Sequence, residues 1–178
     1  MPTTPRQRAA RRLGIDIRQA GLDELEEVTE ILQEASAWAR VHHGVLWQES
    51  ELAPAHVRAD VERGEFFIAR LAGIAAATLR YQLIDVEFWP EAPRGEAAYV
   101  HRLAVRRRYA GQGVAAELLD WAAERARGQG LRRLRLDADL SRPKLRALYE
   151  RCGFREHSEA EVGPYRVMRF ERSLATDS

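Results

Sequence analysis

The stretch VRRRYAGQGVAAELL (105–119) constrains the fold more than any other. An apolar strand-like run, AAYVHRLAV, feeds a basic turn, then two glycines one residue apart, then a helical run. A strand that passes through a short turn into an amphipathic helix excludes all-α and all-β architectures and asks for a sheet covered by helices. Glycines lack a Cβ, so the turn can bring its N–H groups together. The helix start adds a positive dipole end, which stabilises an anion, most naturally a phosphate, at Gly111–Val114. Arg106, Arg107 and Arg108 add full charges beside it.

The rest of the chain alternates around this unit. LGIDIRQ (13–19) reads as a strand with Leu13, Ile15 and Ile17 on one face. Leu22, Leu25, Val28, Ile31, Leu32 and Ala35 recur at helical spacing, and WARVHHGVLWQES then reads as a loop. Pro54 to Glu62 predicts a second helix that stops at Gly64. EFFIARL and GIAAATLRYQLI predict two strands joined tightly at Ala72-Gly73, followed by the loop DVEFWPEAPRG. After the 114–127 helix, LRRLRLDAD alternates leucine with arginine and predicts a strand whose arginines are solvated. Pro143 to Cys152 predicts a helix with Leu145, Leu148, Tyr149 and Cys152 on one stripe, and GFREHSE and YRVMRFER predict the last strands. The expectation is an α/β (α+β) chain with one mixed central β-sheet flanked by helices, a single domain over 13–173. A basic N-terminal tail (1–12) and a short C-terminal tail (174–178) are expected on either side.

Composition narrows the function. The chain of 178 residues carries 28 Lys+Arg against 27 Asp+Glu, a net charge of +1, which argues against a dedicated nucleic-acid partner. All the cations but Lys144 are arginine, a bias that acquires meaning only where position concentrates it. A single Cys152 excludes a disulfide framework and a Cys-rich zinc site, and no metal is expected. No apolar run reaches the eighteen or so residues of a membrane span. The charged start MPTTPRQRAARR has no apolar region behind it, so the chain is expected to be cytoplasmic, with no membrane partner.

Two phosphate-binding readings of the glycine turn fail on their neighbours. Gly111-x-Gly113-x-x-Ala116 fits a loose dinucleotide fingerprint, with Asp137 about where a ribose-binding acid belongs. RRRYA, however, separates the glycines from the strand, and only about sixty residues follow, too few for a doubly wound sheet. The kinase-type loop lacks its Gly-Lys-Ser/Thr. In contrast, Arg108-Tyr109-Ala110-Gly111-Gln112-Gly113 resembles the Arg/Gln-x-x-Gly-x-Gly/Ala motif of the GNAT superfamily of acyl-CoA-dependent N-acetyltransferases. HRLAV before it resembles that family's preceding strand, and LYERCGF (148–154) resembles its Leu-Tyr-Glu-x-x-Gly-Phe. The element order from 13 to 173 is similar too.

The resemblance implies acetyl-CoA as co-substrate. Its pyrophosphate would rest on the turn from Arg107 and Arg108 through Tyr109, Ala110, Gly111, Gln112 and Gly113 to Val114. Its pantetheine arm would pair with the main chain of Leu103 and Val105. The chain departs from the family pattern at Arg107, where Pro is common, at Ala110, where Arg is common, and at Arg142, where an Asn often contacts the pantetheine arm. The resemblance also implies that Tyr149 gives a proton to the departing thiolate and leaves a homodimer open, since many members dimerise.

Acetyl transfer to an amine needs a neutral amine, a stabilised oxyanion and a protonated thiolate. A phenol of ordinary pKa about 10 is protonated at neutral pH and suits the acid's role, although Tyr149 also fits the apolar stripe of its helix. A backbone N–H of the 103–105 strand would meet the oxyanion. For the base, His101 has a suitable intrinsic pKa, and it reads equally well as a half-buried strand histidine. Asp85 and Glu87 are candidates to hold a cationic amine, and Trp47, Phe88 and Trp89 either line an acceptor pocket or pack beneath loops. His42 and His43 lack an acidic third ligand at metal spacing. The expected reaction moves acetyl from acetyl-CoA to a primary amine of a small molecule by direct attack in a ternary complex. The alternatives are a protein or peptide amine as acceptor, or a non-catalytic acetyl-CoA-binding module.

Overall fold

Residues 14–175 are described by a computed structural model of the protein. In chain order these residues form β1 (Ile15–Gln19), α1 (Leu25–His42), α2 (Pro54–Glu62), β2 (Phe66–Leu71), β3 (Ile74–Gln82) and β4 (Ala97–Val105). There follow α3 (Val114–Gly128), β5 (Arg133–Asp139), α4 (Pro143–Arg151), β6 (Arg155–Val162) and β7 (Tyr165–Ser173). The seven strands make one mixed sheet in the order β1-β2-β3-β4-β5-β7-β6, as the alternating pattern requires. The β4–β5 pair is parallel, because α3 intervenes as a crossover. Among the described residues no helix is long and apolar enough to cross a membrane.

The chain forms two compact units. One runs up to Arg80 and includes Arg102–Leu118; the other comprises Tyr81–His101 and the chain from Leu119 onward. In the first unit the helical spacing read from the sequence becomes a buried stripe. Val28, Ile31 and Leu32 of α1 pack with Val57 and Val61 of α2 and with Phe66 and Ile68 of β2. β2 and β3 pair antiparallel through a two-residue turn, with Ala72 and Gly73 both at positive φ (48° and 81°), the sense that matches strand twist. One boundary differs from expectation: α1 runs on through Trp38 to His42. The extra turn is fixed by side chains, since His42 Nδ1 lies 2.8 Å from the Trp38 carbonyl and the two rings stack at 4.6 Å across i,i+4.

In the second unit β7 pairs antiparallel with both β5 and β6. Leu134 and Leu136 are buried as expected, but the arginines between them are not all solvated. Arg135 is 6% exposed, and its guanidinium meets Glu171 at 2.8 Å and Glu96 at 3.2 Å. Two carboxylates offset the cost of burying that charge, which alone would be several kcal/mol (order of magnitude). The C-terminal tail begins later than expected too. Leu174 is buried, and its amide bonds the Arg132 carbonyl at 2.9 Å. Leu13, the N-terminal tail (1–12) and residues 176–178 lie outside the described residues.

Candidate active site

The first unit carries the glycine turn. After β4, Arg107–Tyr109 makes a single 3-10 turn in which the amides of Tyr109 and Ala110 return to the carbonyls of Arg106 and Arg107. Gly111 and Gly113 then take φ of +75° and +86°, values an L side chain resists. A Cβ built on either meets nothing within 4 Å, so their outward faces are open to a ligand. The amides of Gly111, Gln112, Gly113 and Val114 donate to no backbone carbonyl, and α3 begins there with 15 residues of aligned peptide dipoles. Converging amides at a helix start are the donors that a phosphate group needs.

The arginines beside the turn behave differently from the sequence expectation. Arg106 does not reinforce a phosphate site: its guanidinium bonds Glu34 (3.0 Å), Glu30 (3.2 Å) and the Ala75 carbonyl (3.1 Å). Arg107 gives its backbone amide to Glu34 at 2.8 Å, and its guanidinium lies 3.8 Å over the Trp38 ring. Its amide is therefore taken. Arg108 stacks 4.6 Å over Tyr109, and its carbonyl accepts from Gln112 Nε2 (2.9 Å), which closes the turn on itself. Upstream, Arg102 of β4 sits at φ +53°, a left-handed conformation costing roughly 1–3 kcal/mol in a non-glycine residue. Glu51 holds its guanidinium at 2.8 Å over the Trp47 ring (5.2 Å). β4 thus breaks its alternation just ahead of Leu103 and Val105, and His101, Arg102 and Leu103 are all half-buried in a row.

The second unit carries the titratable groups. Within it the β4–β5 ladder covers Ala97↔Arg133 to Tyr99↔Arg135. Two residues further along each strand, on the same face, stand His101 and Asp137. His101 Nδ1 lies 3.4 Å from Asp137 Oδ1, and Nε2 lies 2.6 Å from Asp85 Oδ2. The other oxygen of Asp85 accepts the amides of Glu87 (3.2 Å) and Phe88 (3.0 Å). Burial alone would raise the Asp85 carboxyl; the His101 bond and charge and the two amides outweigh it and hold the group below its ordinary value. Tyr149 of α4 is buried, its ring edge-on to Phe170 at 5.4 Å. Burial first, then the charges of Asp137 and Cys152, push its phenol well above the ordinary range, so it is fully protonated at neutral pH.

A family profile described as the acetyltransferase (GNAT) family matches residues 25–154. The chain belongs to that family. Its relatives include the N-acetyltransferase YesJ of Bacillus subtilis (strain 168), 28% identical over 163 residues that cover 87% of this chain and 88% of the relative. Among solved structures, a GNAT-family acetyltransferase from Listeria monocytogenes 4b F2365 superposes with a TM-score of 0.74 at 18% identity, covering 89% of this chain and 94% of the other. Aminoglycoside acetyltransferase AAC(6')-Ib, in complex with coenzyme A and kanamycin, superposes at 0.71 and 15% identity, with 90% and 95% covered. These two likenesses establish the GNAT fold. As a family member the protein is an acyl-CoA-dependent acetyltransferase.

Within this GNAT fold the remaining candidates separate. Trp89 is 2% exposed, and its ring lies between the guanidiniums of Arg135 (4.7 Å) and Arg169 (4.8 Å). It therefore packs under the 83–96 loop rather than lining an acceptor pocket. Phe88, half-buried, faces His101 at 5.3 Å and Tyr165 at 6.4 Å. The Glu87 side chain is exposed. Trp47 is half-buried against the first unit's core. Arg142 caps α4, its amide on the Asp139 carbonyl (3.1 Å), with its charge within reach of Tyr149. Sequence reasoning missed Asp137 as a neighbour of His101; the signal was a parallel β4–β5 register, visible only once strands are paired.

Proposed function

We propose that the protein moves an acetyl group from acetyl-CoA to a primary amine of a small molecule by direct attack in a ternary complex. The observation that carries this reading is the row of open amides from Gly111 to Val114 at the head of α3. Acetyl-CoA supplies an activated thioester carbonyl. The amides of Gly111, Gln112, Gly113 and Val114 hold its pyrophosphate, with Arg108 and Tyr109 beside them. The main chain of Leu103 and Val105 holds the pantetheine arm, and Arg142 stands in for the Asn found there in relatives. His101 takes the proton of the amine, Asp85 orients the imidazole, and Tyr149 protonates the thiolate. The kanamycin bound to the aminoglycoside acetyltransferase supports a small amine as acceptor. Exposed Leu83, Ile84 and Val86 on the loop that carries Asp85 favour an acceptor with an apolar body.

The test is an amine-panel acetylation assay that reads free thiol, alongside calorimetry with acetyl-CoA. Binding in the micromolar range and turnover of small amines are expected. Failure to bind acetyl-CoA at high micromolar concentration overturns the reading, and turnover of peptide amines alone overturns the small-molecule acceptor. Tyr149→Phe should lower kcat by at least about tenfold with acetyl-CoA affinity unchanged.

A further inference from the structure

We propose that Asp137 is a positioning residue for acetyl transfer, bracketing His101 against Asp85 so that the imidazole, hydrogen-bonded to Asp85 at Nε2 and facing Asp137 at Nδ1, is favoured in its protonated form when it takes the amine's proton. The inference rests on the acetyltransferase reading and adds a residue to it.

The geometry is the ground. Three side chains from three parts of the second unit converge: Asp85 from the 83–96 loop, His101 from β4 and Asp137 from β5. Their side chains are 5%, 15% and 13% exposed, and Asp137 Oδ1 is buried, so the group is largely shielded from water. Asp85 is an ionised acceptor, because two backbone amides already point at it. The proton on its side of the ring is therefore on Nε2, and the tautomer leaves Nδ1 with its lone pair. That lone pair is turned toward Asp137 Oδ1 at 3.4 Å. An imidazole placed so is a better base than one in water, since each carboxylate favours the protonated ring. Arg169, paired in register with Asp137 on β7, is engaged by Glu91 (2.6 Å) and the Phe88 carbonyl (3.0 Å). Phe88 covers the ring with an uncharged face. The same Asp137 charge acts on Tyr149, which it helps to keep protonated.

The step balances. An acceptor arriving as R–NH3+ breaks one N–H bond, and the proton goes to His101 Nδ1 while the electron pair stays on nitrogen. That pair forms the C–N bond as the C–S bond breaks. Tyr149 protonates the sulfur and recovers a proton from the newly bonded nitrogen, and the imidazolium returns its proton to water. Ammonium and thioester become amide, thiol and one released proton.

Asp137→Asn removes the charge and keeps the shape. In the full-length variant, kcat/KM for an amine found by the panel should fall at least about tenfold at neutral pH. The acidic limb of its pH profile should move to lower pH, so that the deficit narrows as pH falls. Acetyl-CoA affinity should stay unchanged. His101 ring titration by NMR, without substrate, should show the Nε2–H tautomer in the wild type and a midpoint moved to lower pH in Asp137→Asn. A ring midpoint that does not move, or a pH profile that only drops in parallel, overturns the proposal. If no amine in the panel is turned over, the acetyltransferase reading's acceptor class fails, and the ring titration still decides the role of Asp137. A variant that unfolds is replaced by Asp137→Ser, read in the same two ways.

Discussion

The glycine turn of the first unit and the His101 group of the second do their work with opposite materials. At the turn, the open donors are main-chain amides, Gly111 and Gly113 carry no side chain, and Arg106 and Arg107 are bound to Glu30, Glu34 and Trp38. Around His101, carboxylates, an imidazole and aromatic rings brought from distant positions make the environment. A site built from backbone tolerates exchange of its side chains but not of its conformation. A site built from side chains does the reverse.

Four substitutions sharpen or break the contrast. Trp89→Ala should act most strongly, because it removes a buried ring that separates two guanidiniums. Urea denaturation should show a loss of about 3–5 kcal/mol, while the amides of the turn keep their affinity for acetyl-CoA. Gly113→Val forces a β-branched residue to φ +86° and fills the open space beside the turn that the proposed pyrophosphate site needs. Calorimetry should show acetyl-CoA binding about 100-fold weaker, or ~3 kcal/mol, and the backbone strain should lower stability by about 1–3 kcal/mol.

Asp85→Asn should have a smaller, pH-dependent effect. The Asp85 carboxyl is held below its ordinary value, chiefly by the His101 bond and charge together with two amides against the opposing effect of burial. Its contribution is therefore full above the ordinary carboxylate range and is lost as pH falls through the folded-state value. Denaturation midpoints measured from neutral to acidic pH should show a wild-type advantage of about 1–2 kcal/mol that closes in acid. A gap that widens in acid would reverse the assignment. Arg107→Ala should be the mildest, with acetyl-CoA binding weakened less than about threefold (~0.7 kcal/mol), since its amide and guanidinium already serve α1. A large loss there would mean that the turn depends on side-chain charge after all.

The same contrast explains what could be read from the chain. The glycine turn is legible because its requirements are local: two glycines one residue apart, a strand before and a helical period after. The sheet and its helices followed from periods of 2 and 3.6, and even the Ala72-Gly73 hairpin was marked. What escaped depends on pairing across the sequence. Arg135 looks solvated beside Leu134 and Leu136 until Glu96 and Glu171 arrive from other segments. Asp137 belongs with His101 only when β5 lies parallel to β4. Trp38 reads as a loop residue in the sequence because its helix is extended by a ring stack rather than by an apolar stripe. Arg102 gives no sign in the sequence of its left-handed backbone, which Glu51 and Trp47 hold from far up the chain.

The Trp38 ring beneath Arg107 has an optical consequence. An indole in contact with a cation and with the stacked His42 ring emits according to both neighbours, and this one adjoins the phosphate turn. Trp89, boxed between Arg135 and Arg169, is a second emitter in a dry and differently charged setting. With the other tryptophans replaced by phenylalanine, each ring becomes a private fluorophore for its own region. Changes in the two units could then be timed separately, in one cuvette and without a label.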